Sequence, residues 1–143
     1  MEMWELLARE SIRDLVARYN ANGDSGRFAQ VRELFSRSAV MDIGDGTVYR
    51  GLDEVMTIFT RTKDGTGATS GLTHVRHTTS THQIDLVDEN SGSGRLYFAV
   101  LTDIGLDHWG RYVDEYVVED GRWKFSSRRV SVDGWSPRSL FPH

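Results

Sequence analysis

Between residues 4 and 19, apolar side chains recur at Trp4, Leu7, Ala8, Ile12, Leu15, Val16 and Tyr19. That i, i+3/i+4 spacing predicts an amphipathic helix. Its other face, with Glu5, Arg9, Glu10, Arg13, Asp14 and Arg18, is charged and predicts contact with water. Asn20-Ala21-Asn22-Gly23 predicts the stop, with Gly23 as a left-handed cap. A second helix is expected from Asp24-Ser25, burying Phe28, Val31, Leu34 and Phe35. Short extended pieces over 39–43 and 47–49 follow, joined by the turn Gly44-Asp45-Gly46, a hairpin signal. Leu52, Val55, Met56 and Phe59 mark a third helix, running to about Thr62. The glycine-rich stretch 63–71 has no large apolar residue and reads as a lid or a plain connector.

Downstream the period changes to two. Strands are predicted over 82–86, 95–103, 109–118 and 122–132, with turns at 88–92 and at Glu119-Asp120-Gly121. The tail from about 133 holds both prolines and reads as irregular. Helices followed by strands predict an α+β domain over residues 1–143. The expected architecture is a strongly curved antiparallel sheet, closed by three N-terminal helices into a cone around a pocket. One detail stands out in the alternation. His77 has the wrong parity to share a face with His82, Ile84 and Leu86, so an extra residue between 77 and 82, a β-bulge, is required to bring it there.

Composition narrows the function classes. A net charge of −4 leaves no basic stripe for a nucleic acid. The absence of cysteine removes disulfides, thiolate metal sites and a cysteine nucleophile. No apolar run reaches the ~18 residues that span a bilayer, and Met1-Glu2-Met3-Trp4-Glu5 lacks the basic start of a signal peptide. A cytoplasmic enzyme or binding protein is expected. Four Trp, five Tyr and six Phe supply aromatic surface to line a pocket.

Three of the five histidines, His74, His77 and His82, fall within nine residues. Imidazole titrates near neutrality and suits proton abstraction. His77 is the candidate base, with Asp24, between two helices that close the cone, as the carboxylate orienting it. Asp24 as a simple helix N-cap is the competing reading. His74 and His82 are expected to be structural or exposed; His108, beside Trp109, is expected to face solvent, with a second pocket imidazole as the other reading. No metal site is expected, since a strand puts residues 74 and 77 on opposite faces. Of the adjacent pair Arg128-Arg129, one must face each side of the sheet, so one can point inward to hold an anion or a carbonyl oxygen. Tyr112 and Tyr116 share a face with Asp114, either a pocket wall or a wetted surface. Trp109 is placed among the substrate-binding residues.

Certain stretches together carry a resemblance: Ile12-Arg13-Asp14-Leu15, Tyr19 with Asp24, residues 28–35, His77 leading into 82–86, residues 110–116, and residues 119–125. The chain resembles the SnoaL-like branch of the NTF2-like superfamily, which includes scytalone dehydratase, bile-acid 7α-dehydratase and hexachlorocyclohexane dehydrochlorinase. The resemblance implies that Asp24 pairs with His77 as base, and that Tyr19 stands where the bile-acid enzymes also have tyrosine. The dehydrochlorinase has lysine there, so halide elimination is disfavoured. It further implies that Arg128 and Tyr112 contact substrate and that Asp103 is the nearest match to a further acid–base group. The implied activity is a cofactor-independent, dehydratase-type lyase acting on a hydrophobic ring-containing small molecule. An isomerase or cyclase using the same abstraction, a non-catalytic ligand binder, and a dioxygenase small subunit are the alternatives. A homodimer or homotrimer is expected.

Overall fold

A computed structural model describes residues 1–63 and 71–143; the 63–71 stretch expected to be a lid or connector lies almost wholly outside them. The elements run α1 (Met3–Asp24), α2 (Phe28–Arg32), β1 (Phe35–Asp42), β2 (Val48–Arg50), α3 (Leu52–Lys63), β3 (Arg76–Asp88), β4 (Ser91–Thr102), β5 (Gly105–Glu119) and β6 (Arg122–Trp135). The strands form one six-stranded sheet in the order β2-β1-β6-β5-β4-β3. The sheet is mixed rather than antiparallel: β1 lies parallel to β6, every other pair antiparallel. That pairing follows from α3, which carries the chain over the sheet between β2 and the long strands.

α1 does not stop at Asn20. It continues to Asp24, and the left-handed turn falls at Gly26, φ +72°, instead of Gly23. The reason lies in its buried stripe. Ile12, Val16 and Asn20 are spaced by four and face the sheet together with Ala8, Leu15 and Tyr19. Side chains four apart lie one above another on a helix, so one further turn brings Asp24 to the same side. The extra turn buries Asn20 and carries Asp24 to this side, against the local preference of Asn-Ala-Asn-Gly for a turn. Arg9 adds a tie to the edge strand, donating from Nη1 to the Ile84 carbonyl at 2.6 Å.

The second helix is shorter than expected and begins at Phe28; Leu34 and Phe35 have left it, and Phe35 opens β1. The hairpin glycines Gly44 and Gly46 take φ +80° and +88° in the turn between β1 and β2. The tail starts later than 133, since β6 extends to Trp135. Core side chains fill the concave face. Tyr19 sits edge-on to Phe35, Phe59, Tyr112 and Phe125 with centroids 5.5–6.2 Å apart.

Candidate active site

The expected bulge in β3 is present. Ser80 pairs with Tyr97 and Gln83 with Arg95, leaving two residues of β3 against one of β4. Thr81 takes the strained φ of +54°. The slip puts His77 and the His82, Ile84, Leu86 series on one concave face.

There His77 meets Asp24, 53 residues away. The ring Nδ1–H donates to Oδ1 at 2.6 Å, and the backbone N–H of the same residue donates to Oδ2 at 2.8 Å. β3 is an edge strand, so its outward N–H groups have no ladder partner. One helix-end carboxylate therefore satisfies a strand edge and fixes an imidazole at once. Asp24 is not an N-cap; it ends α1. With Nδ1–H committed, the lone pair belongs to Nε2, and no residue among those described bonds it.

His108, expected in solvent, is buried instead at 8% exposure. A second bulge explains it. Val100 pairs with His108 but Leu101 with Leu106, so Asp107 is the extra residue and both Asp107 and His108 turn inward. His108 Nδ1–H donates to Asp107 Oδ1 at 2.8 Å. Val100 is the ladder partner of both His77 and His108. Two imidazoles, each gripped by an acid through Nδ1, thus stand on one crosswise row with a single valine between them. The sequence signal was there: Leu106 and Trp109, both outward and three apart, break the alternation.

Asp107 is a hub. Burial would raise its pKa, but the Leu140 N–H, Ser139, His108 and Thr102 together outweigh that and hold the carboxyl at about 2. The Leu140 N–H (2.8 Å), Ser139 Oγ and the Ser136 N–H, the last to the Asp107 carbonyl (2.8 Å), draw the C-terminal segment across His108. Phe141 and His143 lie edge-on to the His108 ring.

Behind the dyad lies a third cluster. Arg128, fully buried, is clamped by Asp114, Nε to Oδ1 at 2.7 Å and Nη2 to Oδ2 at 2.8 Å. A bulge at Ser126 aims it: Tyr116 pairs with Phe125 and Glu115 with Ser127, so Phe125 and Arg128 share the inner face at odd spacing. The guanidinium carbon stands 3.8 Å from the Tyr112 ring centroid, 4.3 Å from Phe125 and 4.4 Å from Tyr19. Tyr116 donates its hydroxyl to Asp114 Oδ2 at 2.8 Å, so at 3.0 Å it accepts from His82, whose proton is thereby on Nε2. Arg128 thus has its charge already paired; Nη1 alone lacks a partner. Burial raises the pKa of Tyr19, opposed by Arg128 and reinforced by Asp24, so its hydroxyl stays protonated.

The structure brings Asp24, His77, Tyr19, Tyr112 and Arg128 together. It does not bring Trp109 or Asp103 there. Trp109 has outward parity and covers Gly134 on the outer face. Asp103 caps the chain ahead of β3, accepting from the Thr73 N–H at 2.8 Å and from the Thr73 hydroxyl, which depresses its pKa to about 2. Two grooves, of about 390 and 650 Å³, open elsewhere, around Arg50 and on the outer face of the sheet, and neither is lined by Asp24 or His77. Among the described residues no helix is long and apolar enough to cross a membrane.

Buried histidines make stability pH-dependent. Burial lowers the pKa of both His82 and His108 below 6.5. Between the folded and unfolded values the unfolded chain binds more protons, so stability rises with pH there and falls on acidification through 6.5. Asp107 is depressed from 3.8 to about 2, so its contribution is present above 3.8 and is lost on further acidification. Melting temperature is expected to drop between about pH 7 and 5, and His82→Gln/His108→Gln to flatten the drop. An unchanged slope in that double variant would count against it.

The SnoaL-like domain model matches residues 4–129. No curated protein matches the chain. Solved structures do. A protein of Novosphingobium aromaticivorans DSM 12444, provisionally named a scytalone dehydratase, is 20% identical over 99% of this chain and 97% of its own, TM-score 0.81. The hexachlorocyclohexane dehydrochlorinase LinA-type3 of Novosphingobium barchaimii LL02 is 15% identical over 100% of both chains, TM-score 0.79. A variant of Rv3472, a protein of unknown function from Mycobacterium tuberculosis, is 22% identical over 90% of this chain and 73% of its own, TM-score 0.76. The helices packed on a curved mixed sheet are the NTF2-like fold, and the chain belongs to the SnoaL-like domain family.

Proposed function

We propose that the chain is a cofactor-independent lyase, eliminating water from a hydrophobic, ring-containing small molecule. The observation that carries this reading is the Asp24–His77 contact, with both carboxylate oxygens engaged and Nε2 bonded by none of the described residues. Nε2 of His77 takes a proton next to an activating carbonyl, and Asp24 stabilises the imidazolium that forms. Tyr19, held protonated by burial, donates to the carbonyl or the departing oxygen. His108, kept neutral by burial, offers a second lone pair on the same row to orient a substrate hydroxyl. Tyr112 supplies an aromatic wall, and Arg128 sets the positions of Tyr19 and Tyr112 by lying against both rings.

The test is a panel of cyclic ketones carrying a hydroxyl β to the carbonyl, followed by absorbance of the conjugated product and by deuterium uptake in D₂O. His77→Ala and Asp24→Asn are each expected to reduce kcat/KM by about 10²–10⁴. Exchange or double-bond migration without loss of water assigns an isomerase instead. Full turnover in both variants would end the dyad proposal.

A further inference from the structure

We propose that Asp107, His108 and His143 bind one zinc ion, which ties the C-terminal segment to β5. One donor atom from each of the three lies within 4.8 Å of the other two, and no other such group of three occurs among the described residues. The histidine-rich run 74–82, where strand parity argued against a metal, takes no part. The bulge at Asp107 and the tail after β6 bring these donors together from distant parts of the chain.

The two oxygens of Asp107 have different duties. Oδ2 is held by the Thr102 hydroxyl at 3.0 Å and the Leu140 N–H at 2.8 Å, which fixes the fully buried carboxylate in place. Oδ1 accepts from His108 Nδ1 at 2.8 Å and from Ser139 Oγ. The same Oγ meets His143 Nε2 at 2.7 Å. Two imidazole nitrogens therefore converge on one carboxylate oxygen, with a hydroxyl between. That donor set suits zinc, whereas magnesium and calcium require oxygens. Neighbours also orient both rings, as groups behind metal ligands do. His143 stacks flat on Trp135, centroids 4.6 Å apart and planes 7° off parallel, and His108 is packed between Phe98 and Phe141.

Little has to move. Tetrahedral zinc with bonds of about 2.0–2.2 Å sets its ligands roughly 3.4 Å apart. His108 Nδ1 and Asp107 Oδ1 need to open slightly from 2.8 Å. His143 needs to close by at most about 1.4 Å to reach that spacing, and it is the exposed member of the three. Ser139 gives its one hydroxyl proton to Asp107, so His143 now donates from Nε2. Each neutral ring then shifts its proton to the other nitrogen, His108 to Nε2 and His143 to Nδ1, and both facing lone pairs go to the metal. Ser139 Oγ yields its bridging place and keeps the Phe141 carbonyl, 3.5 Å away, as acceptor. The fourth zinc position is left to water.

Zinc(II) added to the untagged, chelator-stripped chain is the test, followed by isothermal titration and by melting temperature. One ion per chain is expected, with a rise in melting temperature. Removing a group that merely orients a ligand costs about 10–100-fold in metal affinity. His143→Ala and His108→Gln each remove a ligand itself, so each is expected to weaken zinc binding at least about a hundredfold. His143→Ala, at an exposed position, carries the test if the buried variant fails to fold. His74→Ala, the exposed histidine beside Asp103, is expected to bind zinc as the wild type does, and magnesium is expected not to compete. A wild type that takes up no zinc overturns the proposal. So does a His143→Ala protein that binds it undiminished, an equal loss in His74→Ala, or magnesium competing on equal terms.

Discussion

Asp114→Ala is expected to lower the unfolding free energy by about 3–5 kcal/mol, measured by urea denaturation. The size comes from what is left behind. Arg128 is at 0% exposure, and Asp114 carries both of its hydrogen bonds; Nη1 already has none. Truncation would strand a full positive charge among Tyr19, Tyr112 and Phe125, whose ring faces offset only part of its lost hydration. Tyr116 would lose its acceptor too, and through it the fixed orientation of His82. A domain of this kind has about 5–15 kcal/mol in all, so the variant should be poorly soluble. Asp114→Leu/Arg128→Met tells apart a stranded charge from a lost attraction. Removing both charges for apolar groups of similar size is expected to restore most of the loss. If the single variant costs less than about 1 kcal/mol, the pair behaves as a solvated one and the picture of a dry clamp fails.

How much of this was legible beforehand depended on whether local pattern or ladder register decided the outcome. The helical stripe of α1, the Gly44–Gly46 turn and the β4 to β6 strands followed from periodicity. α1's extra turn did not, because burial of the Ile12–Val16–Asn20–Asp24 line overrode a strong local stop. The parallel β1–β6 pairing was invisible to any window of sequence, since it joins segments some 90 residues apart. The bulge ahead of His82 was legible because the parity of His77 clashed with Ile84 in a short, clear alternation; no spacing could say that Asp24, 53 residues away, would meet His77. His108 was misread because its bulge residue, Asp107, is polar and looks like any exposed position. Trp109 was misplaced for the complementary reason: being large and apolar it invites an inward reading, yet it is one residue from an inward histidine.

The sheet's chemistry is thus set by three one-residue slips, at Thr81, Asp107 and Ser126. Each shifts the side chains on one side of it to the opposite face. Without the first, His77 and Ile84 would part; without the second, Asp107 would face water; without the third, Arg128 would leave Asp114. The dyad, the second imidazole and the buried clamp share one device, and a strictly regular sheet of this sequence would assemble none of them.

Gly110→Ala is expected to cost more than about 4 kcal/mol, in the range reserved for severe overpacking, and to leave most of the protein insoluble. Gly110 faces inward on β5, beside His108 in the alternation. A Cβ there would stand 1.9 Å from the Ser131 carbonyl oxygen and 2.8 and 2.9 Å from ring atoms of Phe98. Phe98 could swing only by leaving its stack on Tyr112, whose centroid is 4.6 Å away. The Ser131 oxygen cannot give way at all, because it belongs to the β6 backbone where the register with β5 already shifts. Both neighbours are therefore rigid, and the site has no route to relax. Gly23→Ala is the matched control: it lies in α1 with nothing within 4 Å of a new Cβ, and alanine in a helix should stabilise by roughly 0.5–1 kcal/mol. Soluble expression and urea midpoints of the two variants decide the matter. A Gly110→Ala protein that folds with a midpoint near the wild type would mean that β5 and β6 can separate locally, and the tight packing of Phe98 against the floor of the site would have to be abandoned.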